Sequence, residues 1–449
     1  MHVHLYRTFC LTEDSHKYSW GTEPPSTCPA DTSHDLDLTR QSVVRSIGDS
    51  VTAITPALPR SIFSALRCSS FGVIHQVNHA YDTTTDDSMT SKFVGGASLV
   101  VENTIAKMLV PPAAGARAVY QTKNYIRYIP GLSKIYMASW VPMTAGAGDF
   151  VSRCGAFDDS RDYDAAYLDE NSGYGHFFEY SSLQNEWAVV ERRKGTDTRV
   201  PASEWNLAPW AADSLSPDKV VLLAIEIAWL GVGPVRAGVV LEEEEILWVH
   251  RWYHTHLDEP YIPVGKAPMR FEVEALADGT VAAQARAICV TSLVENYTQV
   301  VDSVLSSRVA VFRELTVTTS GAMVFFRMRP VSRMGWSVSR LYAVTSGNST
   351  VTWEIRTIDD LIGGTWTPVD SLTDIQVNDT GTSALAGTLL MKGSILSEGV
   401  LDMNIERNQV RNYFHPLLDG TPQVVAMRFL GKQGTASIDV ELTMMEDRV

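Results

Sequence analysis

Cysteine is scarce: Cys10, Cys28, Cys68, Cys154 and Cys289 are the five in a chain of 449 residues. They are too few and too scattered for a disulfide scaffold, and an odd number leaves at least one thiol unpaired in any monomeric scheme. Charge is low as well, at 20% of residues, and leans acidic, with 37 basic against 52 acidic side chains and a formal net charge of −15. A general nucleic-acid binder needs a basic face to attract phosphate, so nucleic acid is not expected as a partner. No run reaches the ~18 uninterrupted apolar residues of a membrane helix. The longest candidate, Val220 to Val240, is broken by Glu226, Gly231, Pro234 and Arg236, so no membrane span is expected. The opening Met1-His2-Val3-His4-Leu5-Tyr6-Arg7 has no apolar signal core, and the expectation is a chain made in a reducing cytosol. A nucleophile elbow is absent. Gly231-Val232-Gly233-Pro234-Val235 begins like a dinucleotide fingerprint but lacks the third glycine and suits a strand-to-strand turn.

What the chain does have is β texture. From Phe71 onward, short Val, Ile, Tyr, Phe and Thr runs alternate with Gly, Pro, Asp and Asn, and scarcely any helical period interrupts them. Strands recurring with turn signals point to an all-β protein built from sandwiches. The expected organisation is a small N-terminal β module at 1–45, a linker with a short helix at 46–70, a large jelly-roll or lectin-like β-sandwich at 71–310, and a C-terminal β-sandwich domain at 311–449. Val239 to Trp252 reads as a hairpin whose turn carries Glu242-Glu243-Glu244-Glu245, solvated turn charge rather than a metal site. Glu191-Arg192-Arg193-Lys194 reads in the same way.

The residues that could carry metal or catalytic chemistry each have a plainer reading. His250, His254 and His256 form H-x3-H-x-H, and on a strand His254 and His256 would project to one face. Strand histidines beside Trp248, Trp252 and Tyr253 are more often packing residues, and no acidic or cysteine partner follows at a diagnostic interval. Asp158, Asp159, Asp162, Asp164, Asp169 and Glu170 make an acidic loop of the kind that attracts Ca²⁺, but not in a D-x-D-x-D-G frame. Neither a catalytic residue nor a cofactor nor a metal is therefore expected.

The N-terminal segment is the densest in rare residue types, with Cys10, Trp20, Pro25, Cys28 and His34 inside about thirty positions. It is too short to bury a core of its own, which makes it a candidate attachment module. Disulfide, zinc with His34, and free thiols all stay open for Cys10 and Cys28. In the near-continuous apolar strand Leu222 to Trp229, Glu226 would be buried and in need of a partner. Arg236, beyond the Gly231 and Gly233 turn, is the candidate for a structural ion pair, with the glycines taking φ values that a Cβ forbids. Eleven tryptophans make carbohydrate stacking worth testing, and Trp205, Trp210, Trp248 and Trp252 are the candidate glycan contacts.

Several motifs together resemble a known group. Cys10-x-Thr12-Glu13, Tyr18-x-Trp20, Pro25-x-Thr27-Cys28-Pro29 and His34 are similar to the leading module of structural proteins from tailed phages and large aquatic DNA viruses. Tyr81-Asp82-Thr83-Thr84-Thr85-Asp86, Tyr128-Ile129-Pro130-Gly131, Phe157-Asp158-Asp159 with Gly175-His176-Phe177-Phe178-Glu179-Tyr180, and Ser203-Glu204-Trp205-Asn206 with Trp229 to Gly238 extend the resemblance through the middle. Val351 to Ile355 and Gly364 to Val369 carry it to the C-terminal part, while Pro234 and the acidic stretch 160–171 depart from it. The resemblance implies a non-enzymatic virion protein, assembled in the host cytoplasm, with other virion proteins as partners on the tail, baseplate or capsid surface. A homo-oligomer, trimer or ring, goes with it. The alternative is a glycan-binding adhesin or depolymerase on the particle, with a host-surface glycan as partner.

Overall fold

The structure is a computed structural model. It describes the strands Val3–Cys10, Ser15–Gly21 and Leu36–Ile47, Ser26, and residues 71–447 apart from 80–87, 124, 128–131, 144–147, 167, 169–171, 229–231, 242–245, 264–265, 296–305, 331, 333–334, 372, 405–412 and 415. The protein is all-β. Two compact units divide it, Met1–Cys68 and Ser69–Val449.

In the first unit, β1 (Val3–Cys10), β2 (Ser15–Gly21) and β3 (Leu36–Ile47) form an antiparallel sheet in the order β2-β1-β3. Trp20 stands opposite Leu5, and Cys10 lies between Ser15 and Leu36 in register. Pro25, Cys28 and His34 lie outside the described residues, as does the expected linker helix.

The second unit opens with a sandwich of two antiparallel sheets. Its strands are β4 (Phe71–Asn78), β5 (Met89–Val94), β6 (Ser98–Glu102), β7 (Ile105–Val110), β8 (Arg117–Thr122), β9 (Ile126–Arg127), β10 (Lys134–Val141) and β11 (Phe150–Phe157). They continue with β12 (Gly175–Ser181), β13 (Glu186–Arg193), β14 (Thr196–Pro201), β15 (Val221–Ile227), β16 (Val235–Val240), β17 (Ile246–Trp252), β18 (Lys266–Ala267), β19 (Met269–Ala275) and β20 (Ala283–Glu295). One sheet has eight strands in the order β17-β16-β15-β10-β20-β7-β6, with β4 also on β20; the other has seven in the order β14-β13-β12-β11-β19-β8-β5. β9 and β18 pair separately.

Period-two alternation explains how the sheets face each other. In β19, Met269, Phe271, Val273 and Ala275 point into the core, and Arg270, Glu272 and Glu274 point out. In β15, Val221, Leu223, Ile225 and Ile227 fill the same core from the opposite sheet, around Trp140, Tyr136 and Phe178. Burying aromatic side chains of this size contributes roughly 1.5–3 kcal/mol each. The β16–β17 hairpin carries a bulge after Ala237, and a Cβ on Gly238 would sit 2.9 Å from the Trp248 ring. The bare glycine lets that tryptophan lie close against the neighbouring strand.

A second sandwich follows, built from a five-stranded and a six-stranded sheet. Its longest strands are Ser306–Val317, Trp336–Ser346 and Ala436–Asp447, and its separate core includes Trp336, Phe326, Leu341 and Phe429. Among the described residues no helix is long and apolar enough to cross a membrane.

Candidate functional site

The outward face of the seven-stranded sheet is charged and yet buried. Register places Arg153 on β11 between Glu179 on β12 and Glu272 on β19. Its Nε donates to Glu179 at 2.9 Å, and one terminal nitrogen donates to Glu272 at 2.7 Å and Glu274 at 2.8 Å. A short turn, Ser160–Asp162, folds over this face and brings further charge. Arg270 lies 2.6 Å from Asp162, and Arg117 also reaches Asp162. Arg192 donates to Asp159 at 3.0 Å, and Arg161 donates to Asp159 at 2.7 Å and Glu274 at 2.6 Å. Five guanidiniums thus meet five carboxylates.

This balance is what makes the burial tolerable, since each ion withdrawn from water costs roughly several kcal/mol unless it is paired. Burial pushes Glu272 up, but Arg270, Arg153, Arg117 and Arg192 hold it well below the usual carboxylate range. Asp159 is likewise raised by burial and lowered more by Arg161, Arg192 and Arg270, to about 2. Glu274 is also depressed, the same burial being outweighed by Arg161 and Arg153. General acid catalysis on a sugar needs a carboxyl group that keeps its proton near neutrality. Asp159, Glu272 and Glu274 are the opposite: ionised, and occupied by arginine.

The aspartates of the acidic loop, which has the composition but not the frame of a calcium site, have other partners. Asp159 and Asp162 bind arginines, Asp158 accepts from the N–H groups of Gly173 (2.9 Å) and Tyr174 (2.7 Å), and Asp164 caps Ala166 at 2.9 Å. Asp169 and Glu170 lie outside the described residues. Glu191-Arg192-Arg193-Lys194 is not a solvated turn: it ends β13, with Arg192 in the charged face and the turn beginning at Lys194 and Gly195, whose φ values are 50° and 74°.

Glu226 and Arg236 stand directly opposite on β15 and β16, and Arg236 Nε donates to the Glu226 carboxylate. Glu226 is fully buried, and the Arg236 guanidinium lies 3.8 Å from the Trp248 ring centre. Gly233 is not among the positive-φ glycines, contrary to expectation, and Gly231 lies outside the described residues. What Gly233 supplies is a carbonyl, 2.8 Å from His254 Nδ1.

The four candidate tryptophans separate by exposure. Trp205 is buried with its ring at right angles to Phe178, and Trp252 is buried between His176 and His250, at 4.8 and 4.9 Å. Neither offers a free ring face, so these two are corrected from glycan contacts to core; both sit on elements that turn their side chains into the sandwich. Trp248 is half-buried beneath Arg236. Trp210 is 58% exposed. Of the nine tryptophans whose side chains are described, six are buried, Trp248 and Trp366 each lie under an arginine, and Trp210 stands alone in solvent.

Trp210 sits in the short 3-10 turn Pro209–Ser214, which docks beside β17, the edge strand of the eight-stranded sheet. The Leu207 and Ala208 N–H groups both donate to the Val249 carbonyl. The Asn206 amide accepts from Arg251 N–H at 2.9 Å and donates to its carbonyl at 2.8 Å. One side chain here satisfies the strand's open donor and acceptor, as a neighbouring strand would. Leu207 (50%) and Tyr253 (57%) are exposed on the same two segments, and Arg251 lies 5.0 Å from the Tyr253 ring centre. Sequence reading named Trp210 but passed over Tyr253, which its place just after an edge strand could have flagged.

No family model matches the chain, and neither does any curated protein. Among solved structures it is similar to the CBM2 module of an evolved Dit protein of Lactobacillus casei BL23 phage J-1, at 8% identity and a TM-score of 0.35, over 53% of this chain and 99% of that one. A putative beta-glucanase from Mycobacterium abscessus is similar at 10% identity and a TM-score of 0.34, over 49% of this chain and 100% of that one. Peanut lectin is similar at 9% identity and a TM-score of 0.31, over 50% and 98%. Likenesses of this size carry no conclusion about what the chain binds or does.

Proposed function

We propose that this chain is a non-catalytic carbohydrate-recognition protein whose contact surface is the β17 edge of the first sandwich. The observation that carries the reading is the exposure of Trp210, where the other eight tryptophans with described side chains are buried or lie under an arginine. The apolar face of a sugar ring stacks on an exposed indole of this kind. Tyr253 supplies a second exposed ring, and Asn206 and Arg251 supply polar groups beside it, the mixture that sugar rings with hydroxyl rims select. The reading as a binder rather than a hydrolase is supported by the charged face, where Asp159, Glu272 and Glu274 are held ionised by arginine.

The test is affinity electrophoresis of the full chain through gels containing bacterial and algal polysaccharides, with reducing-end release measured on each retarding polymer. Retardation without release is expected. Release of reducing ends would replace the reading with an enzyme, and mobility unchanged in every polymer would remove it.

A second reading, a structural component of a viral particle, is favoured by one feature. Residues Met1–Cys68 form a compact unit of their own with a three-stranded sheet, which suits a segment that attaches elsewhere. On this reading the sandwiches are displayed from an assembly of repeated copies, and the two readings combine in a host-recognition protein. Deleting residues 1–68 and assaying incorporation into particles tests it; undiminished incorporation would contradict the attachment role.

A further inference from the structure

His176 on β12 and Glu191 on β13 are paired in register and both point into the sandwich. His254, just beyond β17 of the opposite sheet, reaches across to them. One ligand-type atom from each lies within 4.8 Å of the others: His254 Nε2 is 3.1 Å, and His176 Nε2 is 3.8 Å, from the same Glu191 oxygen. Trp252 and Tyr261 pack on the His176 ring at 4.8 and 5.4 Å, and Tyr261 stacks on His254 at 4.0 Å.

Two features of this cluster are unexplained by the protein alone. First, His254 Nδ1 faces the Gly233 carbonyl at 2.8 Å, and a carbonyl only accepts, so the ring proton belongs on Nδ1. The Nε2 lone pair of a neutral ring then points at a carboxylate oxygen, a repulsive contact unless a cation lies between. Second, His176 is 1% exposed, and neither of its ring nitrogens has a hydrogen-bond partner among the described residues. A proton shared between His254 and Glu191 would answer the first and leave the second. A metal ion answers the first and gives His176 Nε2 a partner as well, because each imidazole then gives a lone pair to the same centre.

We propose that His176, Glu191 and His254 bind one divalent transition ion of the Zn²⁺ class, which ties the two sheets of the first sandwich together. Two imidazoles and a carboxylate suit zinc better than calcium or magnesium, which take oxygen ligands. Donors around one tetrahedral zinc lie about 3.3–3.5 Å apart, given bonds of about 2.0–2.1 Å, so small rotamer changes would close the set. The Nδ1–H to Gly233 bond is the outer-shell contact that fixes a zinc-bound imidazole in its tautomer. The H-x3-H-x-H spacing pointed to His254 with His256; the structure sets His254 with residues from another strand pair instead, because the chain turns between the two and His256 is exposed. The inference is independent of the carbohydrate reading.

The test is calorimetric titration of the chelator-treated full chain with Zn²⁺, beside His176→Phe, Glu191→Gln and a Cys10→Ser, Cys28→Ser double variant, each checked for folding by circular dichroism. About one Zn²⁺ per chain is expected in the wild type and the cysteine variant, with affinity reduced at least tenfold in the other two. No Zn²⁺ bound by the wild type overturns the proposal. So does undiminished binding by folded His176→Phe and Glu191→Gln. Where a variant fails to fold, Co²⁺ in the wild type decides: visible d–d bands without a thiolate charge-transfer band support the site, and a thiolate band contradicts it.

Discussion

Arg236 holds two contacts at once: its Nε donates to the buried Glu226 carboxylate, and its guanidinium lies 3.8 Å from the centre of the Trp248 ring. The arginine therefore covers Trp248 while neutralising Glu226, and it pins β16 between β15 and β17. Arg236→Ala is expected to destabilise the protein by about 3–5 kcal/mol, the usual cost of leaving a buried charge without its partner. Arg236→Met with Glu226→Leu should recover most of that loss, as measured by urea denaturation. Equal losses in single and double variants would contradict the pairing.

The charged face of the seven-stranded sheet predicts a contrast between two arginines. Arg153→Leu removes the partner of Glu179, Glu272 and Glu274 together, and should cost at least about 3 kcal/mol. Arg161, half exposed, contacts Asp159 and Glu274 from the covering turn, and Arg161→Ala should cost about 1 kcal/mol or less. Denaturation midpoints for the two variants check the order.

The same face sets an acid limit. The folded carboxyl group of Asp159, at about 2, is lower than its ordinary value of 3.8. The unfolded chain thus binds more protons in that interval, so this contribution to stability is full above the unfolded value and is lost as pH falls toward about 2. Glu272 and Glu274 act in the same direction. Stability followed by urea denaturation should fall between about pH 5 and pH 2, with a shallower fall in Asp159→Asn.

Exposure divides the tryptophans into two mutational classes. Trp205→Ala and Trp252→Ala empty core volume and should each cost about 3–5 kcal/mol. Trp210→Ala should change stability by no more than about 0.5 kcal/mol. Thermal melts of the three variants separate them, and a Trp210 variant that unfolds like Trp205→Ala would make that ring structural.

Much of the fold was readable because strand alternation is local. Met269 to Ala275 reads apolar and charged by turns, and its two faces divide that way. The hairpin from Val239 to Trp252 and the facing of Glu226 with Arg236 follow from short-range spacing. Alternation says which face a residue takes and nothing of what later covers that face. Arg270, Glu272 and Glu274 look like solvated charge in sequence, yet a turn more than a hundred residues earlier buries them. The aspartates of that turn have the composition of a calcium loop, and all but Arg161 of the arginines that occupy them come from distant strands, β8, β13 and β19. His176, Glu191 and His254 join two sheets, and no spacing connects them. Trp205 and Trp210 are five residues apart and differ in exposure through the short turn that separates them.

The carbohydrate reading is tested most directly by a glycan array probed with the wild-type chain and with Trp210→Ala at equal concentration. The expected result is a defined set of glycans bound by the wild type and lost, by tenfold or more, in a variant of unchanged thermal stability. No glycan bound by the wild type, or the same set bound equally by both, would contradict it.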